Sequence, residues 1–155
     1  SCDEVVERGL VEAELWERVC DAALALFNRG TERGEATGLL FADTKYEFGL
    51  GPDDELLLID EVHTPDSSRW WVAHNYDERL AAGEEPESLD KEVVRRALAA
   101  ADFRGDGDVP TLAEEVWSAT TARYVDAYER LTGESFDYAD YPAAARIRAA
   151  VAHLE

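Results

Sequence analysis

Four ionisable groups sit close together in one stretch of this chain. Lys45 and Glu47 end one short alternating segment, and Asp60-Glu61 ends the next. Two carboxylates arriving from neighbouring strands repel each other unless a cation lies between them. Hard oxygen ligands favour magnesium with several waters retained, so the cluster suits a divalent cation and a phosphate. A lysine beside them, Lys45, supplies the positive charge that a transferring phosphoryl group needs. A surface hairpin with a merely solvated charged face is the other reading of the same residues. Three residues further on, Thr64-Pro65-Asp66-Ser67-Ser68-Arg69 brings hydroxyls, backbone donors and a guanidinium together.

Positioning these groups requires a hairpin. Thr44, Tyr46 and Phe48 alternate with Asp43, Lys45 and Glu47, so a strand here turns one apolar face to a core and a charged face outward. Gly51-Pro52-Asp53-Asp54 reads as a tight connection and Leu56-Leu57-Leu58-Ile59 as a buried partner strand. Pro65 must leave the ladder.

The rest of the chain reads as helices around that hairpin. Residues 3–8 suggest a short helix. From Glu12 to about Arg33, the stripe Leu15, Trp16, Val19, Cys20, Ala23, Leu26 and Phe27 predicts a helix packed across the hairpin, with Gly34 and Gly38 ending it. Cys20 belongs to that stripe as a core thiol. Trp70-Trp71-Val72 is an apolar continuation that anchors the arginine loop, and 74–87 reads as a polar loop. Asp90 begins a helix with Val93, Val94, Ala97 and Leu98 inward and Lys91 and Arg95 on one side. The acidic stretch from Asp102 to Pro110 does not fit calcium-loop spacing and reads as a linker. A helix with Leu112, Val116, Thr120, Tyr124, Ala127 and Leu131 on one face ends near Gly133. A last helix begins at Asp140 and Pro142, with Ile147, Val151 and Leu154 inward.

The chain has 155 residues, about one domain, with 46% hydrophobic residues and a net charge of −20 from 35 acidic and 15 basic side chains. That balance argues against nucleic-acid or anionic-membrane partners, which need a basic surface. Only Lys45 and Lys91 are lysines. A strongly acidic, lysine-poor surface suits concentrated salt, where repulsion is screened, and so predicts a salt-adapted source. No apolar run approaches the roughly 18 residues of a membrane span. Two cysteines define no disulfide framework and no signal peptide precedes them, so the cytoplasm is the expected compartment.

The string DTKYEFGL, followed by LIDEV and TPDSSR-W, closely resembles the SAICAR synthetase family, the phosphoribosylaminoimidazole-succinocarboxamide synthases of purine biosynthesis. Leu89-Asp90-Lys91 with Arg95, and RYVDAYERLTG from Arg123 to Gly133, resemble later segments of that family, so ordered blocks span nearly all of residues 3–133.

The resemblance implies an α+β fold in which helices pack on a β-hairpin, the C-terminal lobe of a kinase- and ATP-grasp-related architecture. Residues 1–133 would be the catalytic and substrate-binding lobe and 134–155 a helical extension. It implies a ligase using ATP and Mg²⁺ to join carboxyaminoimidazole ribotide to L-aspartate through an acyl phosphate. Lys45 would lie near the reacting phosphate, with Glu47 and Asp60 binding metal and nucleotide. Asp66, Ser67, Ser68 and Arg69 would form the loop that holds substrate phosphate, while Lys91 and Arg95 would meet a substrate carboxylate. Glu61 and Asp43 would support these groups.

The family's N-terminal lobe, which covers ATP, has no counterpart in this sequence. The resemblance therefore leads us to expect weak nucleotide binding and little turnover by this chain alone, with that lobe supplied in trans or a homo-oligomer as partner. Two other readings remain: a non-catalytic, salt-adapted interaction module or isolated fragment, and a generic kinase-like phosphotransferase.

Overall fold

The computed structural model describes residues 2–139 and 141–154. Helices α1 (Cys2–Glu7) and α2 (Ala13–Ala36) precede four strands, β1 (Leu39–Thr44), β2 (Glu47–Leu50), β3 (Leu56–Ile59) and β4 (Ser68–Val72). A 3-10 turn (Ala73–Asn75) leads into α3 (Tyr76–Ala81), α4 (Glu92–Ala100), α5 (Glu114–Thr132), α6 (Ala143–Val151) and a last 3-10 turn (Ala152–Leu154). The α+β class expected from the sequence is the one observed.

The strands form two antiparallel pairs rather than one hairpin. β1 pairs with β4, and β2 with β3. The alternation from Asp43 to Phe48 persists in the burial pattern, but the strand expected there divides at Lys45-Tyr46, where the ladder changes partner. The core lies on the first pair. Leu39, Phe41, Trp70 and Val72 project to one face and are buried, with Leu89 from the loop before α4 and Ala127 from α5 against them. Phe41 stacks on both Phe27 and Trp70.

Helix α2 reaches this sheet through two glycines. At Gly30 an added Cβ would lie 2.6 Å from the Phe41 ring, and at Gly34 one would lie 2.8 Å from the Trp70 ring and 3.0 Å from the Leu39 carbonyl. Gly34 therefore does not end the helix as expected. It sits inside α2 because only a hydrogen fits beneath the sheet, and the helix runs on to Ala36 before Gly38 turns the chain at positive φ.

Three further expectations are corrected. The Leu56–Ile59 strand is not buried: Leu57, Leu58 and Ile59 are exposed, because no element of the described chain covers their face. Helix α2 packs on β1 instead of across the hairpin, leaving a gap of about 530 Å³ between Leu15, Trp16, Val19 and the β2–β3 side chains Phe48, Leu50 and Leu56. In α6, Ile147 and Val151 face solvent rather than inward. The Asp140 start expected for that helix, and the Leu154 side chain, lie outside the described residues.

Residues 74–87 also contain more structure than a loop, since Tyr76 opens α3 by stacking on Trp71 at 5.5 Å. Helix α5 ends where its sequence indicates, with Gly133 left-handed and its N–H bonded to the Glu129 carbonyl.

Replacing Gly34 with alanine should lower stability by about 1–3 kcal/mol, despite an intrinsic helix gain of about 1 kcal/mol, because fully buried Trp70 and a backbone carbonyl cannot give way. Urea unfolding checks this, and equal or higher stability of the variant would contradict the close packing.

His63 is half-buried between Phe41 and Trp70, and burial lowers its pKa below the usual 6.5. The unfolded chain then binds the proton more readily, so this contribution to stability is complete above about pH 6.5 and lost as pH falls below it. His63→Gln should accordingly lose less thermal stability than the parent between pH 7.5 and 5.

Candidate active site

The change of ladder partner after β1 places Lys45 at a junction. Its backbone N–H donates to the Ser67 carbonyl at 3.1 Å, tying the β1–β2 connection to the loop before β4. Its ammonium donates to Glu47 Oε1 at 2.5 Å and lies 3.8 Å from Asp60 Oδ2. The hydrogen bond to Glu47 raises the Lys45 pKa, so the lysine stays charged. Asp60 leaves β3 with φ of 65°, a left-handed conformation that aspartate tolerates better than most residues.

The two predicted carboxylates thus converge on one cation, the lysine's own. Among the described residues, no group of three or more His, Cys, Asp or Glu side chains could hold a metal. Magnesium commonly uses one or two carboxylates with substrate phosphates and water completing its shell, so Glu47 and Asp60 fit a nucleotide-bound ion rather than an all-protein cage.

The loop that follows is braced internally. The Thr64 hydroxyl donates to the Glu61 carboxylate, and Ser68 N–H donates to the Thr64 carbonyl at 2.9 Å. Ser68 is buried and shares a 2.9 Å hydrogen bond with the Thr44 hydroxyl. An irregularity in register between Phe41 and Asp43 shifts Asp43 onto the outer face, directly opposite Arg69. There the guanidinium donates from Nε to Asp43 Oδ1 at 2.8 Å and from Nη2 to Oδ2. This fork holds the Asp43 carboxyl below its ordinary pKa.

Helix α4 and the two residues before it complete a cleft of about 150 Å³ in which Asp66, Ser67, Ser68, Arg69, Lys91 and Arg95 meet. Every substrate-binding residue expected from the sequence therefore lines one cleft. Lys91 donates to the Asp66 carbonyl at 2.7 Å, and Arg95 pairs with Glu92 at 3.2 Å.

Two residues in this arrangement were missed as site residues. Tyr124, read as part of a helix face, donates from its hydroxyl to Asp66 Oδ1 at 2.9 Å. Burial first, and then the bond to that carboxylate, raise its pKa well above the ordinary tyrosine value, so it remains a donor at neutral pH. Asp90, read as a helix start and as part of the Leu89-Asp90-Lys91 block but given no role, is 3% exposed and lines the cleft. Its Oδ1 accepts from Glu92 N–H while Oδ2 is buried with no partner. The sequence signal for both is the neighbourhood of Lys91 and Arg123; their orientation depends on how α4 and α5 pack.

Tyr124→Phe should leave the fold intact, cost about 1 kcal/mol, and speed amide exchange at Ser67 and Ser68 as Asp66 loosens. Unchanged exchange at these amides would mean that Tyr124 does not brace the loop.

Comparison with known proteins places this geometry. The SAICAR synthetase family model matches residues 1–112. A phosphoribosylaminoimidazole-succinocarboxamide synthase from Legionella pneumophila (strain Paris) is 41% identical over 140 residues, covering 90% of this chain and 45% of the relative. One from Cytophaga hutchinsonii is 44% identical over 138 residues, covering 88% and 44%. Among solved structures, SAICAR synthase from Saccharomyces cerevisiae complexed with SAICAR superposes with a TM-score of 0.70 at 34% identity, over 89% of this chain and 44% of that one. A type-2 SAICAR synthetase in complex with ADP shares the fold at 24% identity and a TM-score of 0.59, over 89% and 46%. This chain spans less than half the length of these relatives. With most of its residues matched by one family model and its fold shared with solved members, the chain belongs to the SAICAR synthetase family.

Proposed function

We propose that this chain is the substrate-binding and catalytic lobe of a ligase that joins carboxyaminoimidazole ribotide to L-aspartate at the expense of ATP. The observation that carries this reading is the single cleft shared by Asp66, Ser67, Ser68, Arg69, Lys91 and Arg95, tied through the Lys45–Ser67 hydrogen bond to a lysine flanked by Glu47 and Asp60. The Saccharomyces cerevisiae relative carries SAICAR, a product that such a cleft would release.

The chemistry follows from the weakness of a carboxylate as an electrophile. A carboxylate oxygen of the ribotide attacks the γ-phosphorus of ATP, the bond to the β-phosphate oxygen breaks, and ADP leaves. The aspartate amine then attacks the carbonyl carbon of the acyl phosphate, loses a proton, and expels phosphate to form the amide. Mg²⁺, held by Glu47 and Asp60 with the nucleotide, would neutralise phosphate charge during the first step. Lys45 would trade its pairing with these carboxylates for the transferring phosphoryl group. Arg69, already shaped as a fork by Asp43, would take the ribotide phosphate with Ser67 and Ser68. Asp66, held by Tyr124 and Lys91, would orient that loop, and Lys91 and Arg95 would receive a substrate carboxylate.

The exposed Leu57, Leu58 and Ile59 row is consistent with an enzyme completed by further polypeptide, since a two-stranded hairpin is marginal alone. Residues 134–155 form an extension outside this catalytic arrangement. An acidic, lysine-poor composition supports work at high salt, and a cytoplasmic location suits the reading.

Supplying the remaining lobe from a relative, in about molar salt with Mg²⁺, should yield ATP-dependent SAICAR formation. Asp60→Asn in that complex should reduce turnover at least about a hundredfold, while Arg69→Lys should chiefly raise KM for the ribotide. Near-normal turnover of Asp60→Asn would remove that residue from the metal site. Absence of product from a demonstrably assembled complex would overturn the proposed activity.

A further inference from the structure

On the other side of α4 from the substrate cleft lies a second polar cleft of about 280 Å³, lined by Arg79 of α3, Arg96 of α4 and Arg123 of α5, with Ser88, Glu87 and Glu92. Glu92 stands between the two clefts. Its Oε2 accepts from Arg95 at 3.2 Å, in the first, and its Oε1 accepts from Arg96 at 3.4 Å, in the second. We propose that this second cleft is an oxyanion-binding site for a phosphoryl group, either free phosphate or the phosphate end of a larger ligand.

The clustering and burial of the arginines support the assignment. Three guanidinium groups and two carboxylates line the cleft, and two further carboxylates stand at its edge, Glu84 at 3.2 Å from Arg79 and Glu85 at 3.9 Å from Arg96. Of the lining carboxylates, Glu87 is engaged by the Asn75 side chain at 2.5 Å, and Glu92 is shared between Arg95 and Arg96. Among the described residues three arginines are half-buried, Arg79, Arg123 and Arg130, and the third is paired with Asp126 at 2.7 Å. The other two are in this cleft. Arg123 donates from Nη1 to the Ala119 carbonyl at 3.1 Å and has no carboxylate partner among the described residues.

Partly desolvating a guanidinium without a counter-ion is costly, and a bound oxyanion offsets that cost. Arg123 carries that cost, whereas the loop before α4 already supplies Arg79 with a counter-ion, Glu84 at 3.2 Å, and Arg96 with a looser one. Arg79 Nε donates to the Glu85 carbonyl at 2.7 Å, and the Glu85 carboxylate, on a side chain 76% exposed, lies 3.9 Å from Arg96 Nη2. A phosphoryl group would displace that weak contact. It would accept from the arginine forks and from the Ser88 hydroxyl, whose oxygen is approached by Asp90 N–H at 3.4 Å. The volume is near the lower end for small-ligand sites, enough for a phosphate and part of its carrier.

The test is calorimetric titration of the chain with inorganic phosphate, at the lowest ionic strength at which it stays folded, with folding of each variant verified by circular dichroism. The expected result is an equivalent of phosphate that Arg69→Gln retains but that Arg123→Gln and Arg96→Gln each weaken about tenfold or more. Arg96 is exposed, so its variant guards against a folding defect at Arg123. AMP that competes for this equivalent would identify a larger phosphomonoester as the source; AMP that does not would identify free phosphate. Binding abolished by Arg69→Gln alone, binding unaffected by the Arg123 and Arg96 substitutions, or no phosphate binding by the folded chain would overturn the second site. Phosphate binding that depends on Arg69 belongs to the first cleft, so the two assignments fail separately.

Discussion

The close approach of α2 to the β1–β4 pair is the contact on which the rest of the molecule depends. Two glycines, one helical turn apart, bring the helix backbone against Phe41, Trp70 and the Leu39 carbonyl, where any side chain would collide. That contact seals the core and, through it, orients both strands. The outer face of the same strands carries Asp43 opposite Arg69, and the inner face carries Ser68 beside Thr44. Packing on one side of the sheet therefore sets the geometry of polar groups on the other, and a small core becomes a rigid support for a charged cleft.

Within the site, each principal cation is held by a carboxylate of the chain itself. Lys45 rests on Glu47, Arg69 on Asp43, Arg95 on Glu92, and Lys91 on the carbonyl and carboxylate of Asp66. These pairs are substantially exposed, so each contributes little to stability. Their physical consequence is positional. They hold the long side chains of Arg69, Lys91 and Arg95 at the cleft and that of Lys45 between Glu47 and Asp60.

The exposed β3 leucines mark where the internal logic of this chain stops. A four-residue apolar strand has the same appearance in sequence whether its covering surface lies in the same segment or in other polypeptide, because hydrophobicity records that a side chain is buried and not by what. The same ambiguity affects α6, whose Ile147 and Val151 are at helical spacing yet face solvent.

How far the sequence reached can be judged residue by residue. Periodicity located the helices other than α3, and the hairpin turn, because patterns of 3.6 and 2 are local properties of the backbone. The ordered motif from Asp43 to Arg69, with Lys91 and Arg95, determined which side chains to watch, since their chemistry is carried by residue type. Tertiary structure decided the rest. Strand pairing is a long-range choice, so the partner of β1 could not be read from its neighbours, and one register irregularity moved Asp43 to the face where it meets Arg69. Gly34 looked like a helix end and proved to be a packing position because its constraint comes from Trp70, 36 residues away. Tyr124 joined the site for the same reason: its bond to Asp66 spans 58 residues, a distance that only the packing of α5 beside α4 closes.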